Sequence, residues 1–222
     1  MKCCLTKVVL IFIFFINNAY GNNISAEYSV TTSGIKIGEF NWMLKIQQDE
    51  FKTEIYLKNS GIFSPLYKFE GKYNSEGIIR NNKLESTAYR QYWKTKKKIK
   101  IIEMSFDGYL TRLFQQPREN EVSRVNFSEL SGYFDPITSF INILRGNIEA
   151  KTIDGRRVYK MQNKSLDKSK KIEIEIVDYK NIWADHKRND LKKIEFFMGE
   201  ERFLPEKIEV YFKDRVFKLK KN

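Results

Sequence analysis

Cysteine is almost missing from this 222-residue chain: the only two, Cys3 and Cys4, lie at the extreme N-terminus. Histidine is rarer still, with His186 alone. Without a second histidine or a later cysteine, a zinc site of the usual nitrogen and sulfur ligands cannot be assembled. The sequence also lacks a loop of alternating acids for calcium, a Gly-x-Ser-x-Gly elbow, a phosphate-binding loop and a dinucleotide fingerprint. No metal, cofactor or catalytic residue is therefore expected. Long apolar runs are scarce as well. The one unbroken run, Val8 to Ile16, is too short for a bilayer, which takes about 20 residues to cross.

That run has the setting of a secretory signal. Lys2 and Lys7 precede it, and Ala19 and Gly21 follow at the spacing a signal peptidase accepts. Residues 1–21 read as cleavable, with the cut before Asn22; a later cut after Ala26 and an uncleaved N-terminal anchor are the alternatives. Both cysteines precede the apolar run, the wrong side for lipid attachment, so a lipoprotein is rejected. Processing would leave residues 22–222 free of cysteine, a single β-rich domain held by its own core rather than by disulfides. The location this implies is the periplasm or cell envelope of a bacterium.

The formal charge is +12. It concentrates in Lys94 to Lys100, in Lys164 to Lys171 and in the tail Lys218 to Lys221. Within the first cluster Lys94, Lys96, Lys97, Lys98 and Lys100 are candidates for contact with anionic lipid, polysaccharide or an acidic protein. The plainer alternative is solvation and edge protection by flexible lysines at hairpin tips. Nucleic acid is disfavoured by the export signal.

After Asn22 the rhythm is period two, the mark of strands with one buried face. Phe40, Trp42, Leu44 and Ile46 alternate with Glu39, Asn41, Met43 and Lys45; Ile172, Ile174 and Ile176 alternate with Lys171, Glu173 and Glu175, and later Ile208, Val210 and Phe212 repeat the pattern. At Ile101-Ile102 the phase slips, which predicts a β-bulge. Turns are expected at Ser33-Gly34, Asn59-Ser60-Gly61, Ser75-Glu76-Gly77, Asp107-Gly108, Asp154-Gly155 and Lys213-Asp214. Short spacings imply antiparallel hairpins in chain order. About eleven or twelve strands result, too many for a flat sheet, so the fold class is mainly β, a strongly curved antiparallel sheet or incomplete barrel.

One segment breaks the rhythm. After Asp135-Pro136, the residues Ile137, Phe140, Ile141 and Leu144 fall at helical spacing, and Gly146-Asn147 ends the run. Asp135 suits the N-cap, Pro136 the first helical position, and Gly146 the left-handed residue that ends a helix. The expected helix, about 136–145, must bury its apolar stripe against the concave face of the sheet.

Asp135-Pro136-Ile137-Thr138-Ser139-Phe140, followed by Asp154-Gly155-Arg156-Arg157-Val158-Tyr159, is similar to the paired signatures of a bacterial exported family, domain of unknown function 3108. Other pieces agree in order: Tyr28 with Gly34 to Glu39, Ser75-Glu76-Gly77, Pro117, and Leu204 to Ile208. The resemblance implies a β-rich envelope protein without an assigned enzymatic activity, and it carries no functional residue across. Asp135, Pro136, Asp154, Gly155, Arg156 and Arg157 are its signature, with a structural role the plainer expectation. In two respects the chain departs from the pattern: Thr87 stands where a proline is expected, and a cysteine pair of some relatives is missing.

The remaining candidates divide between chemistry and structure. His186, flanked by Asp185 and Asp190, could be a general base, but its charged, turn-like surroundings favour a surface loop. Asp154-Gly155-Arg156-Arg157 could fork an anion; a capped hairpin turn is the simpler account. Trp42, Trp93 and Trp183 could line an apolar cavity, although aromatics at strand spacing usually form core. Two functions follow. In the first, a non-enzymatic envelope protein binds or carries a lipid or amphipathic small molecule in its concave face. In the second, an interaction protein meets an anionic envelope surface through its basic hairpins. Oligomeric state is not legible.

Overall fold

Alternating side chains become long strands, because a pleated backbone sends successive residues to opposite faces and only one face can be kept dry. The structure, a computed structural model, describes residues 22–61, 68–165, 170–183, 190–200 and 204–222. Its first half is an antiparallel meander of β1 (Asn22–Thr32), β2 (Ile35–Gln47), β3 (Glu50–Asn59), β4 (Phe69–Arg80), β5 (Lys83–Thr95), β6 (Ile99–Phe106) and β7 (Leu110–Gln116). A short β8 (Tyr133–Phe134) leads into α1 (Pro136–Leu144). The second half is another meander: β9 (Glu149–Ile153), β10 (Arg157–Asn163), β11 (Lys171–Asn181), β12 (Leu191–Phe197), β13 (Lys207–Phe212) and β14 (Arg215–Lys221).

Pairing of β1 with β14 welds the halves into one sheet whose outermost strands are β7 and β8. Among the described strands only β8 and β9 run parallel, since α1 carries the chain back between them. The remaining seam is bridged by side chains and loops. Gln115 Nε2 donates to the Gly155 carbonyl at 3.0 Å, and the Arg124 N–H to that of Ile182 at 2.8 Å. A nearly closed barrel results, as the expected curvature requires.

The helix is buried inside it, packed on β5, β9 and β10 and so touching both halves. Its N-cap is Asp135, with Pro136 first in the helix, and Gly146 ends it at φ +107°. Ile137, Ile141 and Ile143 are buried, and Phe140 meets Phe196 edge-on at 5.9 Å. Thr138, Ser139 and Asn142 on the polar side are buried too. Only Pro136, Phe140 and Leu144 are left half-buried, so the helix's polar groups must look for partners in the surrounding wall.

Three expectations need correction. Fourteen strands appear among the described residues, not eleven or twelve; β8, two residues long, is too short to show any alternation. No bulge occurs at Ile101-Ile102: β6 stays in register there, with Ile102, Met104 and Phe106 buried, and its irregularity falls between Ser105 and Phe106. Ser75-Glu76-Gly77 is not a turn but lies within β4, where the register with β5 slips by one residue. Thr87 is the extra residue of that bulge. Its backbone sits outside the regular ladder, a position that would tolerate proline. Gly77 is needed because a Cβ there would lie 2.0 Å from the Glu85 carbonyl oxygen.

Candidate functional site

The two signature segments are fastenings. The carboxylate of Asp135 is fully buried and accepts four hydrogen bonds: from the N–H groups of Ile137 (2.9 Å) and Thr138 (3.1 Å), and from the hydroxyls of Ser75 and Thr138 (both 2.7 Å). Burial pushes its carboxyl above the usual aspartate range, while the hydrogen bonds from Thr138 and Ser75 pull it back. Asp154 caps the β9–β10 turn, accepting from the N–H groups of Arg156 (2.9 Å) and Arg157 (2.8 Å), and Gly155 supplies the φ of +81°. The Arg157 guanidinium is drawn to Asp154 (3.9 Å) and donates to the Tyr179 hydroxyl (3.2 Å). It is thus engaged within the hairpin rather than held out as a fork for an anion. Tyr89 and Tyr159 are buried, and each hydroxyl is pushed upward, first by burial, with both carboxylates adding to the rise.

The basic hairpin is divided by the pleat. Lys94 pairs with Ile99 and shares the outer face with it, whereas Lys100 pairs with Trp93 and takes the opposite face. Lys97 and Lys98 are exposed at the tip, where Thr95 closes the turn on the Lys98 carbonyl at 2.8 Å. Hence the five lysines do not make one patch. Instead Lys94 and Lys96 join Lys58 and Lys68 around an outward groove of about 370 Å³, floored by Tyr56, with Phe69 at its edge turned inward onto Trp93. Lys58 is held by Glu39 at 3.0 Å, and Glu70 by Lys72 at 3.0 Å, so the groove keeps a positive excess. Lys58 and Tyr56 were not legible as neighbours of the hairpin, because β4 intervenes in the sheet between β3 and β5; Lys68 and Phe69 come beside it only through the pairing of β4 with β5.

Elsewhere, Trp42 and Trp183 are core residues; the first donates to Thr53 at 2.9 Å and the second to the Gly155 carbonyl at 3.3 Å. Trp93 is half-buried, stacked on Phe69 at 4.8 Å. Asp185 and His186 lie outside the described residues, and Asp190 pairs with Lys213 at 3.8 Å. Among the described residues no three His, Cys, Asp or Glu side chains are grouped to hold a metal ion. Nor is any described helix long and apolar enough to cross a membrane.

A barrel-like antiparallel sheet wrapped about one internal helix, with grooves on its outer wall, is the class of protein these features define. The chain belongs to the family described as protein of unknown function (DUF3108), which it matches over residues 27–216. Among solved structures it is similar to a β-barrel-like protein of domain of unknown function DUF1849 from Brucella abortus. The two are 12% identical, with a TM-score of 0.55, and the match covers 89% of this chain and 95% of the other. At that identity the likeness is one of fold. No curated relative matches the chain.

Proposed function

We propose that this is a non-enzymatic, exported envelope protein that docks on an anionic surface through the basic end of its barrel. The observation that carries this is the 370 Å³ groove, where lysines from β3, from just before β4 and from the β5–β6 hairpin converge around Tyr56. Exposed Ile99 beside Lys94 adds an apolar foot next to the charges. Phosphate-bearing lipid head groups present the matching chemistry: dense negative charge above an apolar layer. Each lysine close to such a surface contributes about 1 kcal/mol.

The test is cosedimentation of the purified protein with anionic and zwitterionic vesicles. Binding to the anionic set should weaken steeply between about 50 and 300 mM salt. Changing Lys96, Lys97 and Lys98 together to Ser should lower affinity about 100-fold, three lysines at about 1 kcal/mol each. Binding that ignores both salt and the substitutions would reject the proposal.

Carriage of a hydrophobic or amphipathic molecule in the concave face has narrower support. Phe40, Leu57 and Trp93 on the inner face are half-buried at this same end. Deeper in, α1 and the buried Met104, Ile143 and Ile153 take up the interior. Native mass spectrometry of protein taken from its own envelope fraction would decide: a co-purifying lipid favours carriage.

A further inference from the structure

Across the outer wall of β1–β6, two neighbouring rows of side chains run perpendicular to the strands. Register places Met43, Glu54, Asn74, Arg90 and Glu103 side by side in one row, and Asn41, Tyr56, Lys72, Tyr92 and Ile101 in the other. Two hollows of about 500 and 480 Å³ open on the first row and on Asn41, Tyr56 and Lys72 of the second, and share Glu54 and Asn74; Tyr92 borders them, beside Lys72 in register and two residues from Arg90 along β5. They form one trough from β1 to β6. Five strand spacings make it about 24 Å long.

The trough differs in character from the basic end. Glu27, Glu54, Glu76 and Glu103 slightly outnumber Lys52, Lys72 and Arg90 along it, in a chain whose overall charge is +12. The charges are also spent on one another: Arg90 pairs with Glu103 at 3.2 Å, Lys72 with Glu70 at 3.0 Å and Glu54 with Lys52 at 3.2 Å. An anionic polymer gains little from such a surface. What remains to offer is a set of half-buried amides, Asn41 and Asn74, and two half-buried phenol rings, Tyr56 and Tyr92. The rings stand two strands apart, about 10 Å, with the Lys72 ammonium 5.6 Å from the centre of the Tyr56 ring. Amide donors and acceptors beside flat apolar rings suit a ligand with many hydroxyls and flat C–H faces.

We propose that this trough binds an extended, uncharged glycan, with pyranose rings resting on Tyr56 and Tyr92 and hydroxyls bonded by Asn41, Glu54, Asn74 and Arg90. A β-1,4-linked chain fits best, because it is a straight ribbon that stays in contact along the trough, whereas an α-1,4-linked chain coils away from it. The proposal goes beyond docking on an anionic surface and does not depend on it.

Isothermal titration of the purified protein with the β-1,4-linked N-acetylglucosamine hexamer tests it, with the α-1,4-linked glucose hexamer as comparison. Saturable binding of the first and weaker binding of the second are expected, both insensitive to salt. Tyr56→Ala and Tyr92→Ala should each cost about tenfold in affinity. Both residues are on the outer wall, and circular dichroism checks that the variants stay folded. The Lys96, Lys97, Lys98→Ser protein should bind the hexamer normally, even where its vesicle binding is lost. No saturable binding of the β-linked hexamer, or binding that folded Tyr92→Ala leaves unchanged, overturns the proposal.

Discussion

Asn142 on α1 completes the backbone of Leu84 on β5: its Oδ1 accepts from the Leu84 N–H at 2.8 Å, and its Nδ2 donates to the Leu84 carbonyl at 2.8 Å. The side-chain amide stands where a neighbouring strand would otherwise be. β6 pairs with β5 only from Ala88 onward, so the first residues of β5 have a free edge inside the barrel. Leu84 is fully buried there, and water cannot serve it. The helix is therefore held to the sheet by directed bonds as well as by its apolar residues.

Asn142→Leu keeps the branched shape and removes both bonds, leaving a buried N–H and a buried carbonyl unpaired. A loss of about 2–4 kcal/mol is expected in urea unfolding. Hydrogen exchange at the Leu84 amide, slow in the parent protein, should quicken markedly more than exchange in β13.

At Asp135 the expected response depends on which replacement is made. Asp135→Ala strands the Ile137 and Thr138 N–H groups and should cost about 2–4 kcal/mol. Asp135→Asn keeps an acceptor for those groups, and its amide can donate to the Ser75 and Thr138 hydroxyls, which accept as readily as they donate. The pH response separates them further. With the folded carboxyl raised by burial above its ordinary 3.8, the folded state holds the proton more tightly than the unfolded one. Stability from this group therefore declines as pH climbs from 3.8 through the folded value. Asp135→Asn should remove that decline, read as a flatter plot of unfolding midpoint against pH.

Gly155 combines two demands that Gly34 does not. Both have positive φ, +81° and +78°. A Cβ on Gly34 meets nothing, while one on Gly155 would sit 2.5 Å from Ile102 Cγ2 across the seam. Gly34→Ala should cost about 1 kcal/mol for the conformation alone. Gly155→Ala should cost at least about 2 kcal/mol more, since overpacking adds to it. Equal thermal shifts for the two variants would mean that the seam yields freely.

Acid should weaken the outer wall through Glu195. Burial pushes its carboxyl up, but hydrogen bonds from Lys193 (2.8 Å), Lys171 (3.0 Å) and Tyr211 (3.1 Å) prevail and hold it down to about 2. Because the folded value lies below the ordinary 4.5, the stabilisation is complete above that pH and is lost as pH falls toward 2. Glu195→Gln should lower stability at neutral pH and remove this part of the acid dependence.

Part of this was legible in residues. The alternation in β2 and β11 and the Asp135, Pro136 and Gly146 signals report local chemistry, and that chemistry is nearly independent of the rest of the chain. The bulge misplaced to Ile101-Ile102 shows where such inference ends: two adjacent isoleucines look like a slip of phase, yet one faces inward and the other joins the outer row beside Tyr92. Ser75-Glu76-Gly77 misled likewise, because residues typical of turns are also those that a crowded bulge and a buried hydroxyl contact require. Of the basic hairpin, the charge was visible but not its division between two faces, nor the lysines of β3 and β4 that complete the groove.

By itself the order of apolar and polar residues determined a mainly β chain, one capped helix and the need for strong curvature, since each depends on neighbours a few positions apart. Tertiary structure alone decided that β1 meets β14, that Asn142 serves Leu84, and that Tyr56 and Tyr92 share one wall. Those juxtapositions join residues far apart in the chain, and they exist only once the twist of fourteen strands has brought the two meanders round the helix.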